Sequence, residues 1–161
     1  MEFAGLPNWN RPLTTDVDRR STIAIPQNYL TESPQLHNRA SSLVVIDPTV
    51  PNYQQLVAGL QPDSRVLILD PVQDAIDQIT KALLGQSGIS SLHLVSHGKS
   101  GGIQLGGTWL DRANLDRYQS EFQLWAKSLT NDADILIYGC EVAQGDAGKA
   151  FLQHFSQLTG A

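Results

Sequence analysis

The sequence predicts an α/β fold, a mainly parallel sheet covered by helices with a small Gly-rich hairpin. Three observations predict it. Short apolar runs rich in Val, Ile and Leu recur along the chain and stop at Asp-Pro or Gly, as strands buried on both faces do. Segments with apolar residues three and four apart alternate with them, which implies βαβ crossovers and parallel strands. One stretch, Ile103-Gln104-Leu105-Gly106-Gly107-Thr108-Trp109-Leu110, breaks this rhythm with two short strands about a Gly-Gly pair.

Residues 1–41 lack sustained periodicity and carry Pro7, Pro12, Pro26 and Pro34 among Asn, Thr, Ser and Arg, the composition of a flexible N-terminal arm. Trp9 and Ile23-Ala24-Ile25 offer it apolar contacts, and His37 reads as a solvated loop residue. The α/β domain occupies residues 42–161. Its first strand is Leu43-Val44-Val45-Ile46, closed by Asp47-Pro48, and Tyr53, Leu56, Val57 and Leu60 mark a short helix. The outline repeats with Val66-Leu67-Ile68-Leu69, then Asp70-Pro71, then a helix on Val72, Ala75, Ile76, Ile79 and Leu83 that ends at Gly85. In both units Asp serves as cap or turn residue and Pro starts the next segment. A third strand, Leu92-His93-Leu94-Val95, runs into Ser96-His97-Gly98.

After the hairpin, Asp111 is the expected cap of a longer helix whose Leu115, Tyr118, Phe122, Trp125 and Leu129 form one apolar face. This aromatic stripe reads as core. A fourth strand, Ala133 to Tyr138, ends in Gly139-Cys140, and a glycine-containing loop leads to a last helix with Phe151, Phe155 and Leu158 on one face and Gly160 at its end. His154 shares that face as a half-buried packing histidine. A further strand is expected after the last helix, so the chain reads as a piece of a longer polypeptide.

With 161 residues, 41% hydrophobic and 17% charged, the chain supports one globular domain with a core. A net charge of −5 and only 11 scattered Lys and Arg argue against nucleic-acid binding. One cysteine excludes an internal disulfide and argues against a cysteine-based structural zinc site. The N-terminus has no secretory signal pattern, and no apolar run approaches the roughly 20 residues of a membrane-spanning helix.

The chemistry gathers at two strand ends. Neighbouring parallel strands lie about 4.8 Å apart, so the His97 imidazole and the Cys140 thiol can meet above the sheet if their strands are adjacent, where open α/β sheets keep their sites. The pair reads as a nucleophilic cysteine with its base, and a helix amino end after Cys140 favours the thiolate. Competing readings are weaker. Gly98-Lys99-Ser100-Gly101-Gly102 matches G-x-S-x-G, but that elbow needs a helix after Ser100 and the sequence offers a hairpin. His93 and His97 would sit about 13 Å apart on a strand, too far to share a metal. Asp47 and Asp70 stand at strand ends, where capping explains them.

The order strand-Ser96-His97-Gly98, Gly-rich hairpin, helix, strand-Tyr138-Gly139-Cys140 resembles the caspase-like superfamily of cysteine peptidases, which includes clostripain, gingipain and separase. His97 precedes Cys140 by 140 − 97 = 43 residues, near the roughly 50 of caspases. Leu43-Val44-Val45-Ile46-Asp47, Ser96-His97-Gly98, Ile103-Gln104-Leu105-Gly106 with Trp109-Leu110, Asp134 to Cys140 and Leu158-Thr159-Gly160-Ala161 more closely resemble a bacterial domain of unknown function found near the N-terminus of large secreted or surface repeat proteins and adhesins.

The resemblance implies a caspase-like three-layer fold lacking its C-terminal portion, with the segment that completes the S1 pocket beyond Ala161. It implies Cys140 as nucleophile, His97 as general base and then acid, and the backbone amides of Gly98 and Cys140 as oxyanion hole. The Gln-Ala-Cys-x-Gly signature is absent, with Tyr138-Gly139 before the cysteine and Glu141-Val142 after it, so aspartate specificity does not transfer. The expected function is a cysteine endopeptidase or self-processing module acting on a peptide or protein, its own parent chain included, with no cofactor and no metal. The alternative is a catalytically silent docking or assembly module. The resemblance places either one outside the cell or on its surface, and a cytoplasmic location stays open.

Overall fold

The computed structural model describes residues 41–161. The expected arm, with Trp9, Ile23-Ala24-Ile25 and His37, lies outside the described residues apart from Ser41, which belongs to the first strand. The elements run β1 (Ser41–Ile46), α1 (Tyr53–Ala58), β2 (Arg65–Ile68), α2 (Ala75–Leu83), β3 (Ile89–Val95), β4 (His97–Lys99), β5 (Gly102–Leu105), β6 (Thr108–Asp111), a short 3-10 turn (Leu115–Tyr118), α3 (Gln119–Ser128), β7 (Leu129–Tyr138) and α4 (Gly145–Thr159). Strands β2-β1-β3-β7 form a four-stranded parallel sheet, and β4-β5-β6 a small antiparallel one. The α/β class and the parallel sheet with its hairpin therefore hold, and β4 enlarges the hairpin by a strand that begins at His97.

Alternation along the strands divides the sheet into two unequal faces. Leu43, Val45, Leu92 and Leu94 pack against Ile76, Ile79 and Leu83 of α2, Phe122 and Trp125 of α3, and Phe151 and Phe155 of α4, with Ile103, Leu105 and Leu110 of the hairpin closing the same core. Phe122 stands edge-on to both Trp125 and Phe155, the geometry aromatic quadrupoles prefer. The aromatic stripe is core, as its spacing predicts. The opposite face carries Val44, Ile46, His93, Val95 and Tyr138 beneath α1, a six-residue helix that buries none of its residues.

Burial on both faces therefore holds for central β1 but not for β2 and β7, the edge strands, which expose Val66, Ile68 and Tyr138. Helix α1 forms where its pattern predicts, yet Leu56 is 48% exposed. Its apolar side lines a cavity of about 720 Å³ over the sheet instead of packing on it.

Element ends correct the sequence reading in three places. Val72 is not helical and is 88% exposed; α2 starts later, where the Asp74 side chain accepts from the amides of Ile76 and Asp77. Asp111 ends β6, accepting from Ala113 N and Trp109 Nε1, so it shapes the turn ahead of the 3-10 segment and does not cap α3. Leu129 begins β7 in place of ending α3. At the other end of the domain, Gly160 closes α4 with φ 75°, the left-handed cap expected of it. No helix among the described residues is long and apolar enough to cross a membrane.

Candidate active site

Strands β3 and β7 are neighbours, and their carboxyl ends are level. Val95 pairs with Tyr138, and on the other side of β3 it pairs with Ile46 of β1. One residue further on, Asp47 N donates to Val95 O and Ser96 N to Tyr138 O, each over 2.9 Å. The chain segments beyond this row, starting at Asp47, Ser96 and Gly139, leave the sheet side by side.

Two glycines let the segments carrying His97 and Cys140 press together. A Cβ on Gly98 would overlap Val142 Cγ2 and stand 3.0 Å from the Cys140 carbonyl oxygen; one on Gly139 would stand 2.9 Å from Val142 Cγ2 and 3.5 Å from Gly98 N. Buried Val142 plugs the space between them. Gly101 N donates to Val142 O over 3.1 Å and Ser100 Oγ to Gln144 O over 2.6 Å, which ties the turn after β4 to the turn after β7. Cys140 is exposed, and Glu141 after it takes the left-handed region at φ 59°, a conformation costly for a residue with a side chain.

His97 is exposed, and its Nε2 lies 3.3 Å from the carbonyl oxygen of Thr49. A carbonyl only accepts, so this bond requires the proton on Nε2 and leaves Nδ1 of the neutral ring as a base. Thr49 is held by Asp47. Oδ1 of Asp47 accepts from Thr49 N over 2.8 Å and from Thr49 Oγ1 over 2.7 Å, while Oδ2 accepts from Gly106 N over 3.0 Å. The Asp47 residue is 0% exposed.

The other candidates of the sequence fall elsewhere. Ser100 lies in the turn between β4 and β5 with no helix after it, and its hydroxyl is engaged by Gln144. His93 lies on the cavity face, stacked on Tyr138, with ring nitrogens 3.1 Å from Tyr138 Oη and Ser91 Oγ. Half-buried His154 pairs with Asp116 over 2.9 Å, a partner its packing role did not suggest. Asp70 takes the turn role, and the Val72 amide first, then the Gln73 side chain, hold its carboxyl below the ordinary range. Among the described residues no three His, Cys, Asp or Glu side chains converge as metal ligands.

Neither His97 nor Cys140 lines the cavity of about 720 Å³ under α1. Asp47 takes the turn role expected of it, accepting from Thr49 two residues on. Two contacts escaped the sequence reading: the Thr49 carbonyl beside His97 is backbone and has no letter to read, and the bond of Asp47 to Gly106, 59 residues away, had no signal.

The model of one family, described as a domain of unknown function (DUF4347), matches residues 43–161. No curated protein and no solved structure matches the chain.

Proposed function

For a chain that belongs to the DUF4347 family, we propose the work of a caspase-like cysteine peptidase, an endopeptidase or self-processing module of a large bacterial secreted or surface protein. The observation that supports it most is the pairing of β3 with β7, which brings the segments bearing His97 and Cys140 out of the sheet together, with the Cys140 thiol exposed. With Nε2 committed to Thr49, Nδ1 of His97 takes the proton from Sγ. The sulfur attacks a peptide carbonyl, and the amides of Gly98 and Cys140 receive the oxyanion. His97 then passes its proton to the departing amine as the C–N bond breaks and a thioester remains. Water, deprotonated by the same ring, hydrolyses the thioester and returns the thiol.

A second reading, a silent docking module with the same fold, draws on the apolar cavity face, which stands apart from both residues. One comparison separates the two. The parent polypeptide carrying this domain is followed for cleavage in wild type, Cys140→Ala and His97→Ala forms, and Cys140 labelling by iodoacetamide is timed against a free-cysteine peptide. The peptidase reading expects cleavage in wild type alone and faster labelling than the peptide. Equal cleavage in all three forms, with labelling no faster than the peptide, leaves the docking module.

A further inference from the structure

We propose that Asp47 is a positioning residue for His97, acting through both of its carboxylate oxygens. A turn cap needs only local contacts and sits comfortably at the surface. Asp47 is instead fully buried, a costly place for a carboxylate unless donors surround it. Its three donors belong to two separate segments, Thr49 beside it and Gly106 in the hairpin turn.

Both segments lead to the same imidazole. Thr49 presents the carbonyl that accepts from Nε2. The Gly106 arm leads to the ring's own backbone, because β4 begins at His97 and pairs His97 with Gln104 of β5. Gln104 Nε2 donates to Gly106 O over 2.7 Å, which stiffens that arm. A closed circuit results: Asp47 Oδ1 to Thr49, Thr49 O to His97, His97 through β5 to Gly106, and Gly106 N back to Asp47 Oδ2. One oxygen places the acceptor and the other places the ring, so the carboxylate sets the distance across which the Nε2 proton is held and the tautomer with a free Nδ1 is selected. Asparagine cannot replace it, since its amide nitrogen brings a donor to one of two arms that both present donors.

The circuit is independent of the peptidase reading, but its consequence for catalysis rests on that reading. The test is therefore made on the ring. In the full chain at about pH 8, long-range nitrogen–proton NMR of labelled histidine, assigned with His97→Gln, reports the His97 tautomer. Wild type is expected as the Nε2–H form. Asp47→Asn is expected to mix the two tautomers and to slow iodoacetamide labelling of Cys140 about tenfold, the effect of a loosened base, with circular dichroism retained. Thr49→Ala removes one donor and keeps the carbonyl, so it gives a smaller shift in the same direction and serves if Asp47→Asn does not fold. An unchanged tautomer in the folded Asp47→Asn, or in Thr49→Ala where that variant has to serve, overturns the assignment. If the tautomer moves while His97→Ala leaves Cys140 labelling unaltered, the positioning role stands and the peptidase reading falls.

Discussion

The amide of Ser96 donates to the carbonyl oxygen of Tyr138 over 2.9 Å, the last rung between β3 and β7 before the chain leaves the sheet toward His97 and Cys140. Just past it, Val142 fills the space that side chains at Gly98 and Gly139 would need. Gly139→Ala is expected to cost about 1–3 kcal/mol by overpacking, and adding Val142→Ala should recover part of it, since that side chain is its nearest obstacle. Gly98→Ala should recover less in the same background, because the Cys140 carbonyl still stands 3.0 Å from its methyl. Urea melts of the single and double variants measure the coupling. Strict additivity in both pairs would contradict the packing described.

The indole of Trp125 anchors α3 to α2. Buried completely, it donates from Nε1 to Thr80 Oγ1 over 2.8 Å and stands 5.0 Å from the Phe122 ring, centroid to centroid. Trp125→Phe removes the bond and part of the buried area, for an expected loss of about 1–3 kcal/mol by chemical denaturation. A change under about 0.5 kcal/mol would mean that the bond and the volume count for little.

Asp74 caps α2 and also accepts from Tyr118 Oη over 2.8 Å, so one carboxylate joins a helix start to the segment that enters α3. Asp74→Ala should destabilise the domain by about 1–2 kcal/mol. Asp74→Ser keeps the cap without the reach to Tyr118 and should cost less. Equal losses in both variants would assign the whole effect to the contact with Tyr118.

Tyr118 has its phenol pushed up to about 12, by burial first and then by the hydrogen bond to Asp74 and that carboxylate's charge. Unfolded, it titrates near the ordinary 10.0. Between those values the unfolded chain has lost a proton that the folded one keeps, so stability falls as pH rises. This contribution is complete below pH 10 and gone above 12. Tyr118→Phe should flatten the wild-type slope in urea melts across that range, and parallel slopes would refute the linkage.

Much of the fold was legible because its signals are local. Leu92 and Leu94 alternate, Phe122, Trp125, Phe151 and Phe155 recur at helical spacing, and glycines punctuate the hairpin; each pattern needs only its own neighbours in sequence. The errors came where a partner decides. Val72 fits a helical stripe, but the cap at Asp74 starts the helix after it. Leu56 fits one too, yet the face it points to is a cavity.

By itself the sequence determined most of the segments that become strands and helices, and that one histidine and the lone cysteine each follow a strand. Strand neighbours and burial were decided by tertiary structure: β3 beside β7, an open second face, and a carboxylate sealed between two loops. The physical reason is range. Periodicity and turn chemistry act over a few residues, whereas the bonds that join Asp47 to Gly106 and His97 to Thr49 span 59 and 48 positions and exist only once the chain has folded.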